Sequence, residues 1–217
     1  FDYSRPVDGS DPATDWKGLT PLDALPRLRN PGGGWIQNTN NGPWSAAGDD
    51  SQKASDFPRY MDMLGENPRG EHAVMLLAAG RDYTLDTLTA AAFDSYQPAF
   101  TRLLPALIAA WDGLPAGDAR KDALAGPIHA LRGWDYRWGL DSVPNSIACL
   151  WAEDLRQWTL AETQGTPRTL YDRMTLAPAE VKLRLLAAVV TRLEQDFGRW
   201  KTPWGTINRL QRLTGAI

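Results

Sequence analysis

The apolar spacing between residues 100 and 111 constrains the fold more than any other feature of this 217-residue chain. Side chains three, four and seven positions apart lie on one face of an α-helix, and the apolar residues here follow that spacing: Phe100, Leu103, Leu104, Leu107, Ile108 and Trp111. A second such face lies near the end of the chain: Leu186, Val189, Val190, Leu193 and Phe197. An apolar helix face needs other elements to cover it, so both patterns predict a helical bundle.

Cap residues delimit the predicted helices, which begin near residue 68. Four of them stand at the ends of apolar patterns: Thr84 and Ser142 as N-caps, and Gly80 and Gly198 after C-termini. Pro105 predicts a kink in the helix over residues 100–111, and Gly126-Pro127 predicts an interruption of the helix that begins at Asp118. We therefore expect a mainly α fold with about six helices.

The chain before residue 68 predicts loops and one β-strand over residues 34–40. A glycine turn precedes this strand, and Asn41-Gly42-Pro43 ends it. A lone strand leaves its backbone donors and acceptors unpaired, so it needs partner strands that this chain does not supply. We divide the chain into a loop-and-strand segment, residues 1–68, and a helical region, residues 69–217.

Composition and charge exclude several classes of function. The formal charge of -3 and the lack of a basic run argue against a nucleic-acid partner. No apolar run approaches the roughly 18 residues of a membrane span, so no membrane partner is expected. A single cysteine, Cys149, excludes an internal disulfide, and the sequence holds no glycine-rich motif that indicates nucleotide binding.

Four amide side chains cluster on the predicted strand and just after it: Gln37, Asn38, Asn40 and Asn41. An amide is neutral and cannot act as a general acid or base. It can, however, donate a hydrogen bond to a carbonyl oxygen or to an oxyanion. The alternative interpretation is that these asparagines only shape a loop.

Three sequence blocks stand before and within this cluster: Asp-Trp-Lys-Gly-Leu-Thr-Pro at 15–21, Asn-Pro at 30–31 and Gly-Trp-Ile-Gln-Asn-Thr-Asn-Asn-Gly-Pro at 34–43. In order and spacing they resemble the penicillin acylase family of N-terminal-nucleophile hydrolases. The resemblance is strongest over the first 70 residues or so and corresponds to the middle of that family's large β chain. It implies that this chain is an internal fragment whose strand joins an αββα sheet in the complete enzyme.

The resemblance also implies roles for individual residues. Asn40 matches the asparagine whose side-chain amide contributes to the oxyanion hole of the family. Arg69 matches an arginine at the start of a helix, which helps to position the nucleophile's amine and the substrate. Because the loop before Arg69 is longer than in the family pattern, Arg59 is the alternative match. The structural alternative for Arg69 is a surface side chain paired with Glu66 or Glu71.

A calcium site is a further implication of the resemblance, because some family members bind calcium through an aspartate near Asp56, with other ligands elsewhere in the enzyme. Asp49 and Asp50 add charge nearby, but calcium takes about six to eight oxygen ligands. The alternative is a solvated acidic loop, and the residues themselves indicate no cofactor.

The remaining reactive side chains predict structural roles. His72 and His129 lie in no zinc-binding or Ser-His-Asp pattern, and we expect His129 to pack in the core. Cys149 lies within an apolar helix pattern, so we expect it to be buried and inert. The aromatic segment over residues 134–138 predicts a seam between core and surface, an interface or the wall of an acyl pocket.

The family nucleophile is an N-terminal Ser, Thr or Cys whose own α-amine acts as the base. Phe1 carries no nucleophilic atom, so the expectation is an isolated chain without amidase activity. The implied partners are the α chain, the rest of the β chain and a small acylated amide, and the implied location is periplasmic or secreted. Candidate substrates are β-lactam side-chain amides, N-acyl homoserine lactones and acylated cyclic lipopeptides. The competing hypothesis is a non-catalytic helical interaction module related to acylases by ancestry alone.

Overall fold

A computed structural model describes residues 6–61, 65–164 and 169–210. These residues fall into two compact units. The first unit includes the described residues up to Phe93, and the second includes Asp94–Gln164 and the described residues from Leu170 onwards.

The first unit consists of short 3-10 turns followed by two helices. The turns are Pro12–Thr14, Leu22–Ala24, Pro43–Ser45, Gly48–Asp50, Ala54–Asp56 and Arg59–Met61. The helices are α1, Pro68–Ala79, and α2, Leu85–Ala92. Asn67 caps α1 by accepting a hydrogen bond from the Gly70 N–H, and Pro68 stands at the first helical position, where no N–H is needed. Thr84 caps α2 in a reciprocal pair with Thr87, as its sequence position predicts.

The strand predicted over residues 34–40 is wrong for this chain, because the described residues contain no β-strand. Residues 35–38 have no regular secondary structure. Within this stretch the Gln37 N–H donates to the Ala46 carbonyl at 2.8 Å, which closes a local turn rather than a ladder. The physical reason is that a single strand leaves its backbone N–H and C=O groups unpaired. A strand forms only where a second strand offers partners for these groups.

The second unit is a helical bundle, which confirms the mainly α prediction. Its helices are α3, Ala99–Asp112; α4, Ala119–Arg132; α5, Val143–Glu162; α6, Leu170–Leu176; α7, Ala179–Phe197; and α8, Trp204–Ile207. With α1 and α2, the described residues therefore form eight helices where about six were expected. In the described helices, no stretch is both long and apolar enough to cross a membrane.

The predicted apolar faces form the core of this bundle. Phe100, Leu103, Leu104 and Leu107 of α3 are buried, and so are Leu186, Val189, Val190 and Leu193 of α7. Phe197, at the end of the α7 pattern, remains 39 % exposed. Trp151 of α5 is fully buried in this core, and its indole N–H donates to the Lys182 carbonyl at 3.1 Å.

The sequence predicts that two prolines disturb their helices, but both helices continue through the proline. The interruption expected at Gly126-Pro127 is wrong, because α4 runs continuously from Ala119 to Arg132. The Pro127 side chain is buried, and this packing offsets the one backbone hydrogen bond that a proline removes. Helix α3 likewise stays helical across Pro105, and the kink expected there stays a prediction.

Candidate active site

A tight polar loop forms where the strand was expected. The Asn38 side-chain oxygen accepts from the Asn40 N–H at 3.0 Å, and the Asn41 side-chain oxygen accepts from the Thr39 N–H at 3.0 Å. In these two bonds a side-chain oxygen takes the place of a backbone carbonyl as the acceptor for a backbone N–H. Short polar side chains commonly make such local bonds. Asn40 itself has a left-handed backbone with φ of 63°. Asparagine tolerates this conformation better than most other residues, so the residue type and the loop shape agree.

The N-terminus of α1 holds this loop through the Thr39 carbonyl. The Asn67 side-chain amide donates to it at 3.0 Å, and the Arg69 guanidinium donates to it at 2.8 Å. Asn67 uses its own side-chain oxygen to cap the helix at Gly70. One cap residue thus fixes both the start of the helix and the position of the loop.

Arg69 also contacts the residue that the resemblance singled out. Its Nη2 donates to Oδ1 of Asn40 at 3.1 Å, and both residues are exposed. A guanidinium has no acceptor, so the atom that faces it must be the amide oxygen. The Nδ2 group of Asn40, with its two N–H donors, is therefore turned away from Arg69. The structure brings the two predicted catalytic residues together, and the guanidinium of Arg69 contacts the loop rather than Glu66.

Glu66 lies at the other side of the loop and was not expected to take part. Its Oε1 accepts from the Asn41 side-chain amide at 2.8 Å and from the Asn67 N–H at 3.0 Å. Its Oε2 accepts from the Ser45 hydroxyl, whose oxygen also accepts from the Asn41 amide at 2.9 Å. Sequence reasoning missed this network, since nothing in the pattern shows that a loop residue meets a side chain 25 positions later. The one available signal was the Asn67-Pro68 helix start, which places Glu66 beside the N-terminus of α1.

Gly70 makes room for these contacts. A Cβ at this position would lie 2.8 Å from Nδ2 of Asn41 and 2.9 Å from the Thr39 hydroxyl, and it would collide with Glu66. The absence of a side chain therefore allows the loop to approach the helix closely.

Asp56, the predicted calcium ligand, lies in a short turn of the first unit. It is exposed in the turn Ala54–Asp56 and accepts from the Ser55 hydroxyl at 3.1 Å. Asp50 accepts from the Gly33 N–H at 2.7 Å, which is a structural role in the glycine turn. Within the described parts of the chain, no group of three or more acidic, histidine or cysteine side chains is placed to hold a metal ion. One exposed carboxylate supplies only part of the about six to eight oxygens that calcium takes, so a calcium role for Asp56 with ligands from the rest of the enzyme stays a prediction.

Three other residues were given expected positions or roles: His129, Cys149 and Arg59. His129 is exposed, so its expected place in the core is wrong: Leu124, Ile128 and Leu131 form the buried face of α4, and position 129 turns away from it. Cys149 is partly rather than fully buried, and burial raises the pKa of its thiol to about 11. A thiol that stays protonated is a poor nucleophile, which supports the inert role that stays a prediction. The side chain of Arg59 lies outside the described residues, so this alternative to Arg69 stays a prediction.

The aromatic segment over residues 134–138 forms a seam between core and surface. Trp134 is buried against Phe100 and Tyr136, with ring centroids 5.2 and 5.6 Å away. At the outer end Arg137 pairs with Asp94 at 2.8 Å, and Trp138 is half exposed. These contacts agree with the seam, and the wall of an acyl pocket stays a prediction.

A comparison with known families completes the description of the site. The family model described as penicillin amidase matches residues 2–215, which is almost the whole chain. This relates the chain to the acylase-type amide hydrolases. The chain belongs to the penicillin amidase family.

Proposed function

We propose that this protein, as part of its complete enzyme, hydrolyses the amide bond between an acyl group and an amine, and that Asn40 supplies a hydrogen bond to the oxyanion. The observation that carries the proposal is the 3.1 Å bond from Arg69 to Oδ1 of Asn40. It holds the amide by its oxygen and leaves its N–H groups free to donate.

The chemistry requires such a donor. Attack on an amide carbonyl converts the neutral oxygen into a negative one, and a preplaced N–H stabilises the charge as it develops. Arg69 has the second role: it holds Asn40 in position and adds a fixed positive charge beside the site.

The nucleophile in this proposal is an N-terminal Ser, Thr or Cys from the remainder of the enzyme, and it forms an acyl-enzyme intermediate. We therefore expect the 217-residue chain alone to be inactive. The complete enzyme is expected in the periplasm or outside the cell. β-Lactam side-chain amides, N-acyl homoserine lactones and acylated cyclic lipopeptides are the substrates to compare.

The test uses the enzyme produced from its full gene and a panel of phenylacetyl and long-chain acyl amides. Asn40→Gly removes the amide and keeps a residue that accepts φ of 63° without strain. We expect kcat to fall about 10²–10³-fold with little change in KM, because the lost bond forms only in the transition state.

Asn30→Gly is the matched control, since Asn30 is also an exposed asparagine with a positive φ of 50°. It should leave kcat unchanged. Equal activity of the two variants would refute the oxyanion role of Asn40.

The second unit favours one alternative, a non-catalytic helical module, because it holds an apolar core of its own. A module of this kind predicts no hydrolysis of any amide in the panel by the enzyme made from the full gene. Hydrolysis that survives repurification and is lost in Asn40→Gly contradicts it.

A further inference from the structure

We propose that Glu66 is a positioning residue of this site, which acts on the reaction through Asn40. This inference rests on the proposed function. Glu66 touches neither Asn40 nor Arg69 through its carboxylate, but it holds the elements that carry both.

The carboxylate joins three points of the chain. It accepts from the side chain of Asn41, from the hydroxyl of Ser45 and from the backbone N–H of Asn67. Asn41 belongs to the polar loop over residues 38–41, and Ser45 belongs to the turn that follows it. Asn67 caps α1. A carboxylate is the side chain that can accept from all three at once, and its charge makes such bonds roughly twice as strong as neutral ones.

Asn41 is the link to the candidate catalytic residue. It is the direct neighbour of Asn40 and is only 9 % exposed. Its side-chain oxygen accepts from Thr39 on the far side of Asn40, and its nitrogen donates to Glu66. The two anchors therefore lie on either side of Asn40 in the chain and limit the movement of its backbone.

Loss of Glu66 should release this arrangement without removing any group that touches substrate. Asn41 would keep only the Ser45 oxygen as an acceptor for its amide, in a place that water reaches poorly. The loop would then shift to satisfy the buried amide, and Asn40 would shift with it. A displacement of about 1 Å in a catalytic group can reduce turnover about a hundredfold.

The experiment is a double-mutant cycle in the complete enzyme, with kcat and KM measured on the best amide of the panel. Glu66→Ala should lower kcat about tenfold to a hundredfold and leave KM within about twofold. In the Asn40→Gly background the same change should alter kcat by less than about twofold, because the group through which Glu66 acts is already gone. Fully additive losses would overturn the inference.

Two further variants separate positioning from general stability. Glu66→Gln keeps an oxygen that can accept from Asn41, so it should recover part of the lost kcat. Ser45→Ala removes one of the three donors and should give a smaller loss with the same non-additivity, which keeps the test decisive if Glu66→Ala does not fold. Glu162→Ala removes an exposed glutamate at the end of α5 and should leave kcat unchanged.

The outcomes also separate this inference from the proposed function. If Asn40→Gly lowers kcat and Glu66→Ala does not, only the role of Glu66 is refuted. If Asn40→Gly has no effect, the oxyanion role itself is refuted, and the inference about Glu66 is refuted with it.

Discussion

The two units of this chain are stabilised by different kinds of interaction. The second unit buries a continuous set of apolar side chains, many of them less than 2 % exposed. Among the described residues of the first unit, the only buried apolar side chain is that of Ala47. Instead of an apolar core, the first unit has a set of directional hydrogen bonds around Thr39, Asn41 and Glu66.

This difference concerns how much apolar surface each unit buries within itself. Apolar burial is non-directional and scales with area, and the helices of the second unit bury a common set of apolar side chains among themselves. Both units expose some large apolar side chains, and those of the first unit include Trp16 at 90 %, Leu19 at 95 % and Ile36 at 57 %. Contiguous apolar patches are typical of surfaces that another protein covers. As an extension of the proposed function, we propose that the remainder of the complete enzyme covers these side chains.

The largest effect is expected from a change in the core of the second unit. Trp151→Ala should lower the free energy of unfolding by about 3–5 kcal/mol, because it leaves a cavity and removes the hydrogen bond from the indole to the Lys182 carbonyl. Urea unfolding followed by circular dichroism measures it. Leu160→Ala on the same helix, at a residue 48 % exposed, is the control and should cost far less. A loss below about 1 kcal/mol for Trp151→Ala would show that this unit does not depend on its core.

The next prediction concerns the hydrogen-bonded side chains of Thr39, Asn41 and Glu66 in the first unit. Gly70→Ala would stabilise an exposed helix by about 1 kcal/mol. Here the added methyl group meets Asn41, Thr39 and Glu66, so we expect a local loss of about 1–3 kcal/mol instead. Hydrogen exchange of the amides over residues 35–45 should become faster.

Gly117→Ala is the control for this change, because a Cβ there meets nothing within 4 Å. Its exchange should match that of the unchanged protein. If Gly70→Ala slows exchange in the loop, the close packing described for the cluster is wrong.

The sequence predicts the second unit far better than the first, for a physical reason. Helix periodicity and caps are local, so the apolar faces of α3 and α7 and the cap at Ser142 follow from neighbouring residues. The seven-residue helix α6 was missed, because two turns are too short for a clear period. The contacts of Glu66 join residues far apart in sequence, so no local pattern contains them.

The smallest effect concerns a polar group inside the apolar unit and appears only at high pH. Burial raises the pKa of the Cys149 thiol from 9.0 to about 11. Because the folded-state pKa is the higher one, the unfolded chain loses this proton first. The stability that the thiol contributes is complete below pH 9 and is lost as the pH rises through about 11.

Alkylation measures this shift directly. At pH 8 the thiolate fraction of the folded protein should be about a hundredfold smaller than in urea, so iodoacetamide should react at least that much more slowly. Equal rates would mean that Cys149 lies in water, and its place beside Gln97 and Asn145 would be wrong.

The bond between Asn41 and Glu66 joins two residues that are 25 positions apart and closes the chain between them into a loop with fixed ends. Its described middle part consists largely of two short turns, Ala54–Asp56 and Arg59–Met61. The entropy of closing a loop grows only with the logarithm of its length, so doubling it costs about 0.6 kcal/mol. Insertions here should therefore be tolerated while Asn40 and Arg69 stay in place. The same stretch gives protein engineers a location for a grafted peptide that would alter the surroundings of the site and leave the site itself intact.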